Sequence, residues 1–314
     1  MTDHILVTGG AGYKGSVLVP KLLAAGFRVT ALDTQWFGCE LYEQSNLILV
    51  KKDVRAIEQG DLKGVDAIVH LASVANDPCG DLNPKLTWEI SALATMQLAD
   101  NAKRAGIQHF IYASSGSVYG VKDDLQVTED LTLEPISEYN KTKMVAERVL
   151  LSYRDSMTIQ IVRPATVSGL SPRMRLDVSV NMLTMQALKN DEITVFGGDQ
   201  FRPNIHIDDI TDLYLFLLKN PDLKGIYNAG FENLTINEIA GYIASRTGAN
   251  IVLMASNDPR SYRINSDKLL ATGFTPKKKI EDAVTEMILA YQSGALKDID
   301  RWHNLKWMQK NLFQ

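Results

Sequence analysis

Tyr139 and Lys143, four residues apart, are the pair in this sequence best suited to moving a proton. On a helix that spacing puts both side chains on one face. A phenol titrates at about 10, so bringing it down by about three units takes roughly 4 kcal/mol of preferential stabilisation of the phenolate. A neighbouring ammonium is one source of that stabilisation. Upstream, the apolar run Phe110–Ser114 leads into Ser115-Gly116-Ser117-Val118-Tyr119-Gly120. That order sets serine hydroxyls at the carboxyl end of a buried strand, where open α/β sheets bind ligands. Each piece alone has an ordinary structural explanation, since Tyr/Lys pairs are common on helices and Ser-Ser-Gly-Ser is a common turn. Their conjunction behind a glycine-rich turn is harder to obtain by chance.

That turn is Gly9-Gly10-Ala11-Gly12-Tyr13-Lys14-Gly15, directly after the strand-like Ile5–Thr8 and before a helical pattern. Gly10, Gly12 and Gly15 fit the dinucleotide spacing, which needs a tight turn, close backbone approach to a pyrophosphate and a helix N-terminus behind it. Asp33 ends the second strand at about the ~20-residue distance where a carboxylate receives the adenosine ribose hydroxyls, and its charge would repel a 2′-phosphate. NAD is therefore expected over NADP. Lys14 pulls the other way, because a cation beside the last glycine could compensate a 2′-phosphate. A bound oxidised nicotinamide would also help to stabilise the Tyr139 phenolate.

These groups must be held by strands, and the first half supplies them: Ile5–Thr8, Val29–Leu32, Leu47–Val50, Ala67–Leu71, Phe110–Ser114 and Ile159–Val162. Helical patterns at Val17–Ala25 and Pro84–Ala105 alternate with them, which predicts a Rossmann-type doubly wound parallel sheet of the α/β class. After Pro164 the rhythm changes to helices at Leu176–Asn190, Asp208–Lys219, Ile236–Thr247 and Glu281–Gln292, with short strands such as Ile193–Phe196 between them. Residues 1–165 are thus expected to form the dinucleotide-binding domain. Residues 166–314 should form mostly a smaller α/β substrate lobe, with some chain returning to the first. Pro203, Pro221, Pro259 and Pro276 are read as loop or helix-boundary positions, and Lys277-Lys278-Lys279 as a solvated loop.

The 314 residues, 45% apolar and 22% charged, suit a globular enzyme and exclude a disordered or fibrous chain. A formal charge of −4 argues against a nucleic-acid partner. No run approaches the ~20 apolar residues of a membrane span, and no signal peptide is expected ahead of the first strand. Cys39 and Cys79 are expected to be reduced, in a cytoplasmic setting. His4, His70, His109, His206 and His303 lack ligand spacing, so no metal is expected.

Taken in order, Thr8 to Gly15, Asp53-Val54, His70-Leu71-Ala72, Ser114-Ser115 with Val118-Tyr119-Gly120, Tyr139 with Lys143, Arg163-Pro164 and Arg202 to His206 resemble the extended short-chain dehydrogenase/reductase family. The likeness is greatest to its NAD-dependent nucleotide-sugar epimerases and dehydratases. It implies that Ser115, Tyr139 and Lys143 are catalytic. It implies a cofactor site of Gly9, Gly12, Tyr13, Lys14, Gly15, Asp33, Asp53, Val54, Leu71, Ala72, Ser73, Ser114 and Pro164, together with Tyr139 and Lys143. The nucleotide sugar would meet Ser115, Ser117, Thr166 and Asn181. Arg202 is the first choice for its diphosphate, with Arg173, Arg175 and Arg260 behind it, since arginine's planar fork matches phosphate oxygens. The resemblance also implies a homodimer through the helices Pro84–Ala105 and Glu138–Arg154. Ser91 stands where an asparagine often supports the site, and Thr166 replaces an asparagine frequent in galactose-type epimerases.

In the resembling enzymes Tyr139 would take the proton of a sugar hydroxyl while Ser115 hydrogen-bonds its oxygen and hydride passes to NAD. The resembling 4,6-dehydratases carry an acidic pair after the catalytic serine or threonine. Gly116 and Ser117 occupy those places here, which ranks epimerisation at C4 through a 4-keto sugar first. A 4-dehydrogenase or 4-keto reductase follows, then a dehydratase, for which Glu129 and Asp130 are the nearest carboxylates along the chain. A non-catalytic NAD sensor on the same fold is disfavoured by the intact acid–base set.

Overall fold

The computed structural model describes residues 3–122, 126–256 and 261–312. The strands are β1 (His4–Thr8), β2 (Arg28–Asp33), β3 (Leu47–Lys51), β4 (Ala67–His70), β5 (His109–Ala113), β6 (Thr158–Pro164), β7 (Thr166–Ser168), β8 (Glu192–Phe196), β9 (Phe201–His206), β10 (Gly225–Ala229), β11 (Glu232–Thr235) and β12 (Asn250–Met254). The α-helices are α1 (Gly15–Ala24), α2 (Asp77–Leu82), α3 (Pro84–Trp88), α4 (Ala94–Arg104), α5 (Glu138–Leu151), α6 (Ser179–Asn190), α7 (Ile207–Lys219), α8 (Ile236–Thr247), α9 (Asp267–Leu270), α10 (Ile280–Gln292) and α11 (Asn304–Asn311).

Seven strands form one parallel sheet in the order β10-β6-β5-β4-β1-β2-β3. β1 is apolar and buried at every position because both of its faces are covered. Successive residues serve opposite cores. Ile5 and Val7 pack with Leu18 of α1 and Leu213 of α7, whereas Leu6 packs with Leu98 of α4 and Leu150 of α5 on the other face. The chain leaves β1 toward β2 and β3 but later builds β4, β5 and β6 on its other side. The crevice between β1 and β4 is therefore the switch point, where this topology leaves room for a ligand beyond the strand ends.

Residues after Pro164 add a three-stranded sheet, β11-β9-β7, and a two-stranded one, β12-β8. A third apolar cluster, including Leu183, Ile193, Ile239 and Val284, joins α6, α8 and α10. β10 pairs with β6 in the large sheet, and α11 contacts α2 of the first half.

Four expectations are corrected. The helix expected across Pro84–Ala105 contains a π turn at Glu89–Leu93, where Ser91 Oγ leaves the helix to meet Ser73 Oγ at 3.0 Å and the Val74 amide at 3.3 Å. The helix expected from Leu176 starts at Ser179, because Arg175 and Asp177 are tied to each other in the loop before it. Pro203 lies inside β9. Only β11 pairs with β9 there, and β7 joins from Asn204 onward, so the missing N–H costs no inner ladder bond. Lys277 and Lys279 are exposed in the loop before α10, but Lys278 between them is partly buried and its ammonium donates to Asp208 and Glu286, both at 2.6 Å. Pro259 lies outside the described residues. Cys39 and Cys79 are both free thiols.

Candidate active site

The floor of the crevice is built from backbone. Gly9 adopts φ +69°, and a Cβ there would stand 2.8 Å from the Ala72 amide nitrogen. A side chain on Gly15 would collide with the carbonyls of Gly9 and Gly10. The Gly9 amide donates to Leu32 O at 2.8 Å, which locks the turn onto β2. Asp33, at the end of β2, accepts from the amides of Gln35 (2.7 Å) and Ala11 (3.2 Å). Burial raises its pKa, and the two amides and the charge of Arg173 oppose that rise. Asp53 is gripped by Arg55 through its amide at 2.9 Å and its guanidinium at 2.8 Å, which holds the carboxyl below its ordinary value against partial burial.

Behind the floor, His70 is fully buried between Thr8 Oγ1 (2.6 Å) and Thr95 Oγ1 (2.9 Å). Burial first, and then the charge of Lys143, pushes its pKa down to about 3, so it is a neutral strut tying β1, β4 and α4 together.

The chemical end sits where β5 meets α5. Ser137 caps α5 by accepting from the Asn140 amide. Ser115 Oγ lies 2.7 Å from Ser117 Oγ, which in turn donates to Asn140 Oδ1. Tyr139 shares a hydrogen bond with Ser115, yet burial pushes its phenol up to about 12, with the Asp77 carboxylate adding to that and Arg175 opposing it. Lys143 donates to Ala113 O at 2.8 Å and rests 4.9 Å from the Tyr112 ring centroid. Burial and the Lys14 ammonium hold it well below its ordinary value. Lys143 Nζ lies 5.8 Å from the Tyr139 ring centroid, and burial, not the lysine, dominates the phenol in the protein alone.

A cleft of about 520 Å³ joins the two ends. Its wall includes Gly9, Gly12, Tyr13, Lys14, Gly15, Asp33, Asp53, Val54, Leu71, Ala72, Ser73, Ser114, Ser115, Ser117, Tyr139, Lys143, Pro164, Thr166, Arg173, Arg175 and Arg202. Several of them face it differently from what sequence implied. Ser114 spends its hydroxyl on Glu147, which is itself paired at 2.6 Å with buried Arg163. Tyr13 donates to Gly169 O at 2.7 Å and ties the glycine turn to the second half. Lys14 turns toward Tyr214, 3.5 Å from its hydroxyl. Burial lowers its pKa to about 8, with help from the charge of Arg175.

Asn181 is off the wall. Fully buried, it donates to Tyr13 Oη (3.0 Å) and Arg175 O (2.9 Å) and accepts from the Gly169 amide (3.0 Å), so it braces the site without facing a ligand. Arg202 lines the cleft and donates to Phe201 O at 3.1 Å. Arg175 is paired at 2.9 Å with Asp177, whose other oxygen accepts from Asn76 at 3.0 Å. Arg260 lies outside the described residues.

Sequence reasoning missed two parts of the wall. Asp77 lines the cleft near Tyr139 and accepts from Ser137 Oγ at 2.7 Å. It is brought there by α2, which packs so closely that a Cβ on Gly80 would lie 3.1 Å from Tyr139 Cβ. The Asn-Asp-Pro opening of α2 is a helix-start signal, but nothing local says where the helix lands. Glu129 is instead 2.7 Å from the Asn228 amide and Asp130 is exposed, and neither lines the cleft. Trp36, Phe37 and Asn304 are the other missed part.

Among the described residues one set, His206, Asp208 and Glu286, could gather a metal ion. Lys278 already bridges both carboxylates and Lys21 lies 3.0 Å from Asp208, so ammonium groups answer that charge. No helix among the described residues is long and apolar enough to cross a membrane.

The cleft fits a dinucleotide. Its turn is closed to side chains at Gly9, Gly10 and Gly15, and the buried Nε of Arg173 has no hydrogen-bond partner within the protein. The profile of the NAD dependent epimerase/dehydratase family matches residues 5–230. An uncharacterised UDP-glucose epimerase of Bacillus subtilis is 30% identical, covering 92% of this chain and 98% of its own. UDP-glucuronic acid decarboxylase 1 of Danio rerio is also 30% identical, over 91% of this chain and 72% of its own. The structure of MoeE5 in complex with UDP-glucuronic acid and NAD superposes with a TM-score of 0.84 at 26% identity, covering 93% of this chain and 99% of that one.

Proposed function

The chain belongs to the NAD-dependent epimerase/dehydratase family, and from that premise we propose that it is a 4-epimerase of a nucleoside diphosphate sugar. The observation that carries this reading is the pair of positions after Ser115. Gly116 carries no side chain and a Cβ there would be crowded, 2.6 Å from Ile264 Cδ1 and 3.1 Å from Pro164 O, and Ser117 is engaged with Ser115 and Asn140. No carboxyl pair directly follows Ser115 in the chain to drive elimination toward C6. The UDP-glucose epimerase relative supports the same reading.

NAD, when bound, accepts a hydride and returns it. Gly9 to Gly15, Asp33 and Asp53 would hold its adenosine side, and Lys143 its nicotinamide ribose. Ser115 hydrogen-bonds the sugar C4 oxygen. Tyr139 takes that hydroxyl's proton in the first half-reaction and gives it back in the second. The phenol's elevated pKa in the protein keeps Tyr139 protonated at neutral pH, so its proton is in place for the more basic sugar alkoxide of the return step. Its service as a base requires added positive charge, and oxidised NAD brings one. Arg202 and Arg175 are assigned to the diphosphate. The exposed Leu93 and Met96, 45% and 41% accessible beside α4, suit a homodimer face, which sedimentation would test.

Asp77 favours a second reading. A carboxylate in the cleft near Tyr139 could remove a C5 proton or steer a 5-carboxylate, and a decarboxylase is among the relatives. Incubation with UDP-glucose and UDP-glucuronic acid in heavy water, followed by mass spectrometry, tests both. Epimerisation predicts 4-epimers without deuterium at C5, without loss of carbon dioxide and without net NADH. Deuterium at C5 or a lost carboxyl group would overturn it in favour of Asp77 chemistry.

A further inference from the structure

Arg173 stands behind Arg202 as a candidate for the sugar nucleotide's diphosphate, and its surroundings point to a different ligand. Its side chain is almost wholly buried at 2% exposure, yet it lines the cleft. The guanidinium lies over the Phe37 ring, 4.1 Å from the centroid, in the loop after β2. Nη2 donates to Asn304 Oδ1 at 2.6 Å and Nη1 to Met174 O at 3.4 Å. Nε is buried with no partner. A buried guanidinium N–H facing a cleft is completed by an oxygen acceptor, and an anionic one is strongest.

The position of that acceptor follows from the neighbours. After burial, Arg173 feels Arg175 and Asp177 in its own loop and then Asp33, which feels it in return. Asp33 ends β2, Phe37 follows it closely and both line the cleft, so the contact with Phe37 sets Arg173 beside the part of the cleft built from β2 and the loop after it. Asp33 can only accept hydrogen bonds once ionised, which leaves phosphate and ribose oxygens for Arg173.

The C-terminal segment fixes this arrangement. Trp307 Nε1 donates to Trp36 O at 2.8 Å, Arg301 pairs with Glu40 at 2.7 Å, and Asn304 holds Arg173. Three pieces distant in sequence thus close over one end of the cleft.

We propose that Arg173 binds the AMP half of NAD and that the segment Asp300–Asn311 clamps it there, making this end of the cleft a cofactor-retaining gate. The proposal depends on NAD dependence and not on the reaction at C4. A gate of this kind suits an enzyme that regenerates its own cofactor, because release between turnovers brings no gain.

The test measures binding of NAD, AMP and UDP by quenching of intrinsic tryptophan fluorescence, and NAD release by stopped flow. Arg173→Lys keeps the charge but loses the Nε–H and the planar contact with Phe37. It should weaken NAD and AMP at least tenfold and leave UDP within twofold. Asn304→Ala and Trp307→Phe should each speed NAD release several-fold. Weakened UDP with unchanged NAD would return Arg173 to the sugar nucleotide and overturn the assignment. So would a wild type that prefers NADP and loses that preference in Arg173→Lys, which would mean Arg173 reads a 2′-phosphate. If Arg173→Lys does not fold, unchanged NAD release in both tail variants overturns the gate by itself.

Discussion

The glycine turn at residues 9–15 and the loop at residues 171–177 line the same cleft by opposite means. The turn works through backbone. Gly9 holds a positive φ, Gly15 has no space for a Cβ, and the amides are fixed onto β2 by short-range geometry. The loop works through side chains: Arg173 is held by Asn304 and Asp177 by Asn76, both far along the chain, and Asp177 in turn holds Arg175. A backbone site tolerates almost no change at its glycines. A side-chain site can be retuned one partner at a time, and that is where relatives with one fold can come to differ in ligand.

The largest effect expected lies between the two regions, at the reacting centre. Tyr139→Phe should lower turnover by about 10³-fold or more, within the usual range for loss of an acid–base group, while NAD still binds. Steady-state rates and NAD titration together check this, and retained turnover would remove the chemistry both regions serve.

Gly9→Ala should break the backbone site. The positive φ costs of order 1–3 kcal/mol by itself, and the Ala72 amide at 2.8 Å from the added Cβ forces the turn open. A lower melting temperature and a loss of NAD affinity of about 100-fold are expected. If calorimetry and titration show a near-silent change, the turn is more pliable than the side-chain loop.

Asp177→Asn should sharpen the contrast from the other side. Arg175 and Asp177 are 12% and 15% exposed, so breaking the pair costs up to about 3–5 kcal/mol, less whatever solvent screens. UDP affinity should fall at least tenfold with NAD affinity little changed. Equal losses for both ligands would mean that the loop is scaffold and not a ligand-reading element.

The smallest effect expected concerns His70, the strut under the backbone site. Its pKa is depressed to about 3 from an unfolded value of about 6.5, so the unfolded chain binds the extra proton between those values. Its stabilising contribution is complete above about pH 6.5 and is lost as pH falls toward 3. His70→Asn should flatten the acid limb of the urea midpoint against pH, and an unchanged slope would assign acid sensitivity to carboxylates elsewhere.

The sequence by itself determined the parallel sheet, the helices on its two faces, the glycine turn with Asp33, and the Ser115, Tyr139 and Lys143 set that the cleft gathers. All of these rest on local rules: short apolar runs alternating with helical patterns, helical spacing, and the few backbone shapes glycine allows. Only the tertiary structure decided which side chains around them reach the cleft. Asn181 braces Tyr13 across 168 residues. Arg173 is held by Asn304 across 131 residues, and Asp77 arrives beside Tyr139 because α2 docks on α5 through Gly80. The same burial that orders the site also raises Tyr139 and lowers Lys143. Desolvation is a property of everything packed around a group, and no spacing of residues along the chain encodes it.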